Sequence, residues 1–221
     1  MTYRRSLDVA GEIPDTTFRT TLEMEVRCRR CDPCLRARAA KWRHRAIVEI
    51  DAATRTWFGT LTLRPEEHYR CVLLADRVLR RGGERFEDLS ADDQFRRRHE
   101  VVSAEITKWL KRVRKESGAP LRYCLVAEAH KNGLPHYHLL VHESAMDRPV
   151  TVRCLQNQWK LGFSAFKLAD KQAAFYVTKY LMKAAMNRVR ASTRYGMPPQ
   201  GIIPRRGEGI IPRRGDVILD P

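Results

Sequence analysis

The spacing of apolar residues changes period several times along the chain, and each change marks an element. In residues 35–53, LRARAAKWRHRAIVEIDAA, Ala39, Trp42, Ala46 and Ile50 approximate a helical stripe with arginines over the remainder. Residues 56–63, TWFGTLTL, are rich in β-branched and aromatic side chains and are stopped by Pro65, which predicts a strand. Residues 64–93 are polar and contain Gly82-Gly83, so they read as a loop with some helix, a variable insert. Within 95–117, Val101, Ile106, Leu110 and Val113 fall on or near one helical face, with lysines and arginines elsewhere and Gly118 beyond the end. That is the pattern of a long amphipathic helix. Two strand-like runs follow, LRYCLVAEA (121–129) and PHYHLLVHE (135–143), joined through Asn132-Gly133, a strong hairpin signal that predicts antiparallel pairing. A short helix is expected over 151–160, a strand over 163–168, and a last helix over 171–190 with Asp170 as its cap.

This order predicts an α+β fold with an antiparallel central sheet covered by helices. Residues 1–25 show no clear period and include Pro14, so they read as an arm. Residues 26–54 form a cysteine-rich knuckle with its basic helix, and 55–197 the core. Residues 198–221 form a tail, with GIIPRRGE followed at once by GIIPRRGD. Two copies of eight residues cannot build a solenoid. A flexible basic tail is expected, with phosphate contacts as its functional alternative.

Charge changes this picture. The chain of 221 residues carries 42 Lys plus Arg against 26 Asp plus Glu, a net charge of +16. Such an excess suits a polyanion. No run approaches the length of a membrane span, and the N-terminus lacks the apolar core of a signal peptide, so a cytosolic protein that handles nucleic acid is expected. The basic helix offers Arg36, Arg38, Lys41 and Arg43 to DNA phosphates, unless it is merely a solvated face; Lys183, farther on, is a further candidate. In a reducing compartment, CRRCDPC (Cys28, Cys31, Cys34) suits a metal better than disulfides. Structural zinc takes four ligands, and His44, His68 and Cys154 are candidates for the fourth. The alternative is reduced thiols packed at a helix start.

The hairpin holds the most concentrated chemistry. Strand alternation points His136 and His138 one way and Tyr137 the other, with Glu128 within reach on the partner strand. Two imidazoles and a carboxylate suit Mg²⁺, Mn²⁺ or another first-row cation. His130 and His142 compete as ligands, and an exposed polar strand is the plain alternative. In YVTKYLMK, Tyr176 and Tyr180 share a helical face, with Lys179 and Lys183 on the adjoining one. A phenol is a poor nucleophile at its usual pKa of about 10. It becomes useful where a metal polarises the phosphate it attacks and a lysine stabilises the developing charge.

These motifs resemble a known family. PHYHLLV resembles the His-hydrophobic-His motif of the HUH endonucleases, WFGTLTL their first motif, and YVTKYLMK the two-tyrosine third motif of rolling-circle initiators, in that order. CRRCDPCLRARAAKW, QWKLGFS and RASTRYG are similar to segments of replication initiators from Microviridae, especially gokushovirus-like phages. The resemblance covers roughly residues 26–197 in pieces. It implies a site-specific single-strand nickase with a divalent metal, Mg²⁺ or Mn²⁺, on His136, His138 and Glu128. Tyr176 and Tyr180 would be its nucleophiles and Lys179 their helper, with single-stranded origin DNA as substrate. Host helicase and polymerase would be its partners, in the cytoplasm of a bacterial host. Two other readings stay open. One is a non-enzymatic zinc-knuckle protein that binds nucleic acid; the other is a plasmid relaxase or transposase with the same chemistry.

Overall fold

The computed structural model describes the backbone of residues 2–13, 16–129, 134–144, 147–183 and 187–197, and side chains from residue 26 onward except at 181–183. His130, the Asn132-Gly133 turn and residues 198–221 lie outside the described residues. The elements are β1 (Thr2–Ile13), β2 (Thr16–Arg27), α1 (Asp32–Ala52), β3 (Arg55–Leu61), α2 (Pro65–Leu79), α3 (Ala91–Ser117), β4 (Leu121–Ala129), β5 (Pro135–Glu143), α4 (Val152–Asn157), β6 (Ser164–Leu168), α5 (Lys171–Lys183) and β7 (Arg188–Ala191). The fold is α+β, as the pattern predicts. One sheet has the order β6-β3-β5-β4-β7, antiparallel throughout, and β1 and β2 form a separate two-stranded sheet.

The sheet is covered on both faces. On one, Leu125, Ala127, Tyr137, Leu139 and Val141 pack with Phe95, Ile106 and Trp109 of α3 and Leu155 of α4. Trp109 is fully buried because its indole N–H finds the Leu155 carbonyl at 3.0 Å. Gly59 of β3 makes room here: a Cβ at that position would lie 2.3 Å from the ring of Phe166, its register partner on β6. On the other face, Cys124, Val126 and Leu140 pack with Ala39 and Ala46 of α1 and Ala174, Val177 and Tyr180 of α5. The knuckle helix is thus one layer of the sheet's own fold. Its contact stripe is made of alanines, which let α1 and α5 lie close together over the sheet.

Three expectations are corrected. The N-terminal arm is a β-hairpin, and its second strand does alternate, with Phe18, Leu22, Met24 and Val26 set between polar residues. The polar insert is mostly helix: Cys71, Ala75 and Leu79 sit one turn apart on the buried side of α2. The last helix ends at Lys183 instead of running to 190, and Arg188–Ala191 is an edge strand pairing with β4. In RVRA the period is two. Val189 and Ala191 pack under the α1–α5 layer, while Arg190 reaches the other way to Ser103 O, Ser103 Oγ and Thr107 Oγ1 on α3 at 2.5, 3.0 and 2.7 Å.

Candidate active site

The site lies on the central strand β5, under α5. In the antiparallel register His136 faces Glu128 of β4, and His138 lies between Val126 of β4 and Thr60 of β3. Paired residues project to the same face, so Glu128, His136 and His138 emerge together, and that face is the one α5 covers. Tyr137 points to the opposite layer, where it is fully buried, its hydroxyl 3.4 Å from His99 Nδ1. Alternation along one strand therefore separates the site from the core.

His138 is the hub. Its Nε2 lies 3.2 Å from Glu128 Oε2, its Nδ1 is 3.5 Å from Thr60 Oγ1, and its ring centroid is 4.8 Å from that of His136. Tyr180 stacks flat on it, with centroids 3.9 Å apart and planes 6° apart. Tyr176, one turn earlier, meets Tyr180 edge-on at 5.5 Å and Phe58 of β3 edge-on at 5.2 Å. Lys179 places its Nζ 3.7 Å from the centre of the Tyr176 ring and 5.2 Å from that of Tyr180. Every residue singled out from the two motifs is thereby brought to one place, the side chain of Lys183 excepted, which lies outside the described residues.

The donor set fits a cation. Adjacent ligands of a six-coordinate ion held at about 2.1 Å stand about 3 Å apart, and His138 Nε2 and Glu128 Oε2 are 3.2 Å apart. Imidazole and carboxylate together suit Mn²⁺ and its first-row neighbours, and the carboxylate suits Mg²⁺. His142, a competing candidate, is otherwise engaged. Its Nδ1 is 2.9 Å from Thr56 Oγ1 and its Nε2 2.8 Å from the Tyr195 hydroxyl, and burial pushes its pKa down to about 4. It is a neutral core histidine.

The two tyrosines differ in environment. Tyr176 is 43% exposed and Tyr180 5%. Burial, followed by its hydrogen bond with Tyr176, holds the Tyr180 phenol above the usual range. Beside Tyr176 opens a groove of about 670 Å³ lined by Phe58, Lys167, Asp170 and the start of α5. Sequence reasoning missed Phe58, Thr60 and Lys167. The first two carried a signal, since they alternate within WFGTLTL on the face that pairs with Leu140 and His138.

Among the proposed DNA contacts, Arg36 and Lys41 are exposed on α1. Arg38 gives one N–H to the Asn187 carbonyl at 2.7 Å, and Arg43 lies 4.4 Å over the ring of Phe175 on α5. The sulfur atoms of Cys28, Cys31 and Cys34 lie within 4.8 Å of one another. None of the candidate fourth ligands joins them. Cys154 is buried in the opposite layer with its thiol 4.0 Å from Val113 O, and His68 belongs to α2, which packs on α3. His44 stands ten residues beyond Cys34 on α1, a rise of about 15 Å.

A family profile described as replication-associated protein ORF2 matches residues 56–185, from β3 through α5. No curated protein matches the chain. The fold and the matched span define a replication-associated protein of the kind that initiates rolling-circle replication, and with it a protein that works on DNA. The chain belongs to the replication-associated protein ORF2 family. No helix among the described residues is long and apolar enough to cross a membrane.

Proposed function

We propose that this chain is the rolling-circle replication initiator of a Microviridae-type phage, a metal-dependent HUH nickase that cuts single-stranded DNA at the origin. The observation that carries this reading is the stack of Tyr180 on His138, with Tyr176 at its edge and Lys179 over both rings. Two phenols set against a histidine-carboxylate cluster on a basic protein make little sense as core packing alone, because Tyr176 faces solvent.

The single strand enters the groove beside Tyr176, where Phe58 offers a stacking face and Lys167 a phosphate contact. A tyrosine hydroxyl attacks the scissile phosphorus as its proton leaves, and the bond to the 3′ oxygen breaks. The products are a 5′-phosphotyrosine and a free 3′-hydroxyl. Lys179 stabilises the phenolate as it forms. A divalent cation on His136, His138 and Glu128, Mg²⁺ or Mn²⁺, would supply polarisation of the scissile phosphate. Exchange of one phosphodiester for another is near balanced, so the link to tyrosine keeps the bond available for rejoining. Host polymerase extends the 3′ end behind host helicase, in the bacterial cytoplasm.

The test is cleavage of labelled single-stranded origin DNA with Mg²⁺, Mn²⁺ or EDTA, by wild type and the Tyr176→Phe/Tyr180→Phe double variant. Metal-dependent cutting with protein attached to the 5′ end, lost in the double variant, is the expected result. Binding without cutting under any of the metals would refute it.

A further inference from the structure

The cysteine cluster plays no part in this chemistry, and the family match begins downstream of it, at residue 56. We propose that Cys28, Cys31 and Cys34 hold a zinc ion that locks the end of β2 to the start of α1 and so shapes a second, phosphate-binding groove. This site is independent of the nicking reading.

Four observations support it. Tetrahedral zinc with bonds of about 2.3 Å to sulfur sets its thiolates about 3.8 Å apart, and Cys28 Sγ stands 3.8 Å from Cys34 Sγ. A disulfide would need about 2.05 Å, and all three cysteines are free. The turn between Cys28 and Cys31 is built for a thiolate. Arg29 takes a left-handed φ of 62°, and the Cys31 N–H donates to Cys28 Sγ at 3.4 Å. Cys31 occupies the N-cap of α1, where Ser, Thr, Asp or Asn would bond the first turn, yet it makes no such side-chain bond. Pro33 beside it fixes the helix start. Finally, Cys28 and Cys31 are half-exposed and turn toward Cys34 rather than into an apolar cluster.

Binding exchanges three thiol protons for one Zn²⁺, leaving a net charge of −1 that Arg27, Arg29 and Arg30 offset. A nitrogen or oxygen donor takes the fourth position. Cys34 also borders a groove of about 610 Å³ whose basic lining is Arg27, Arg29, Arg38 and Lys41. Arg27 ends the hairpin and Lys41 stands on α1, so zinc between those elements fixes their spacing for a run of phosphates.

The experiment counts metal in the full chain, purified under reducing conditions, loaded with excess Zn²⁺ and dialysed. One zinc per chain is expected, with three sulfur neighbours by X-ray absorption. Cys31→Ser, whose hydroxyl preserves the cap, and the Cys28→Ser/Cys34→Ser pair lose at least nine-tenths of it. Cys154→Ser and His136→Ala/His138→Ala keep it. If the cysteine variants fail to fold, titrating wild type with a mercurial releases the zinc as three thiols react. A zinc-free wild type, or cysteine variants that retain stoichiometric zinc, overturns the proposal. A zinc-free chain that still nicks sinks this site alone; a zinc-loaded chain that never nicks sinks the nickase alone.

Discussion

Tyr176 and Tyr180 lie on the same helical stripe yet differ in what decides nucleophilicity. Tyr176 is open to solvent beside the groove, with Lys179 Nζ 3.7 Å from its ring centre. Tyr180 is buried against His138, and burial makes its proton harder to remove. Within the nickase reading, Tyr176 therefore makes the first cut, and Tyr180 acts after the site has opened. Tyr176→Phe should lower the first-cut rate at least about 100-fold, the scale of losing a nucleophile or oriented group. Tyr180→Phe should cut within a few-fold of wild type but fail to transfer the strand to a second origin. Separate labels on the cut and joined products measure the two steps, and equal loss of cutting in the two variants would discard this order. The residue types and spacings were legible in the sequence. That Tyr180 would lie flat on His138 was not, because no local pattern says which sheet face a helix forty residues later will cover.

At the scale of elements, the site depends on how α5 is tied to β4. Asn187, fully buried, donates from Nδ2 to the Tyr180 carbonyl at 2.5 Å and accepts the Ala129 N–H on Oδ1 at 3.1 Å. Its own carbonyl takes the Arg38 guanidinium from α1 at 2.7 Å. One amide joins the tyrosine helix to the strand carrying Glu128, and α1 to them. Asn187→Ala leaves two buried backbone groups without that partner, which should cost about 1–3 kcal/mol of stability by urea unfolding. It should also slow cutting by about 100-fold while single-strand affinity changes little. A variant that loses binding and rate in proportion would make Asn187 a folding residue only. Elements with one strong period were legible: α3, the β4–β5 pair and β3 fall where apolar spacing puts them. Where two periods abut, the reading failed. The alternation of Arg188, Val189, Arg190 and Ala191 was absorbed into the helix before it, and the polar residues of α2 masked Cys71, Ala75 and Leu79.

The whole molecule is a polycation, and where the charge sits decides how it holds DNA. The four arginines of residues 198–221 share that stretch with Glu208, Asp216 and Asp220, so nearly all of the net +16 belongs to residues 1–197. The folded layers, not the tail, carry the attraction. On the α1 side, Lys41 and Arg27 border one groove, while Lys167 borders the other. Arg122 and Glu49 tie α1 to β4 through bonds of 2.7 and 2.6 Å, and the Gly196 N–H closes on the same carboxylate at 2.7 Å. The grooves thus sit on one rigid body, and a strand lying across them releases counterions from each. Single-strand affinity should therefore fall linearly in log–log form with salt, with a slope near 0.7 for each phosphate neutralised. Lys41→Ala/Arg27→Ala should lower that slope by about 1.4 if each contacts one phosphate, while Tyr176→Phe leaves it unchanged. Fluorescence anisotropy of a labelled single strand, titrated at stepped salt, measures the slopes. A slope untouched by the groove pair, but reduced when Arg205, Arg206, Arg213 and Arg214 become alanine, would return the attraction to the tail.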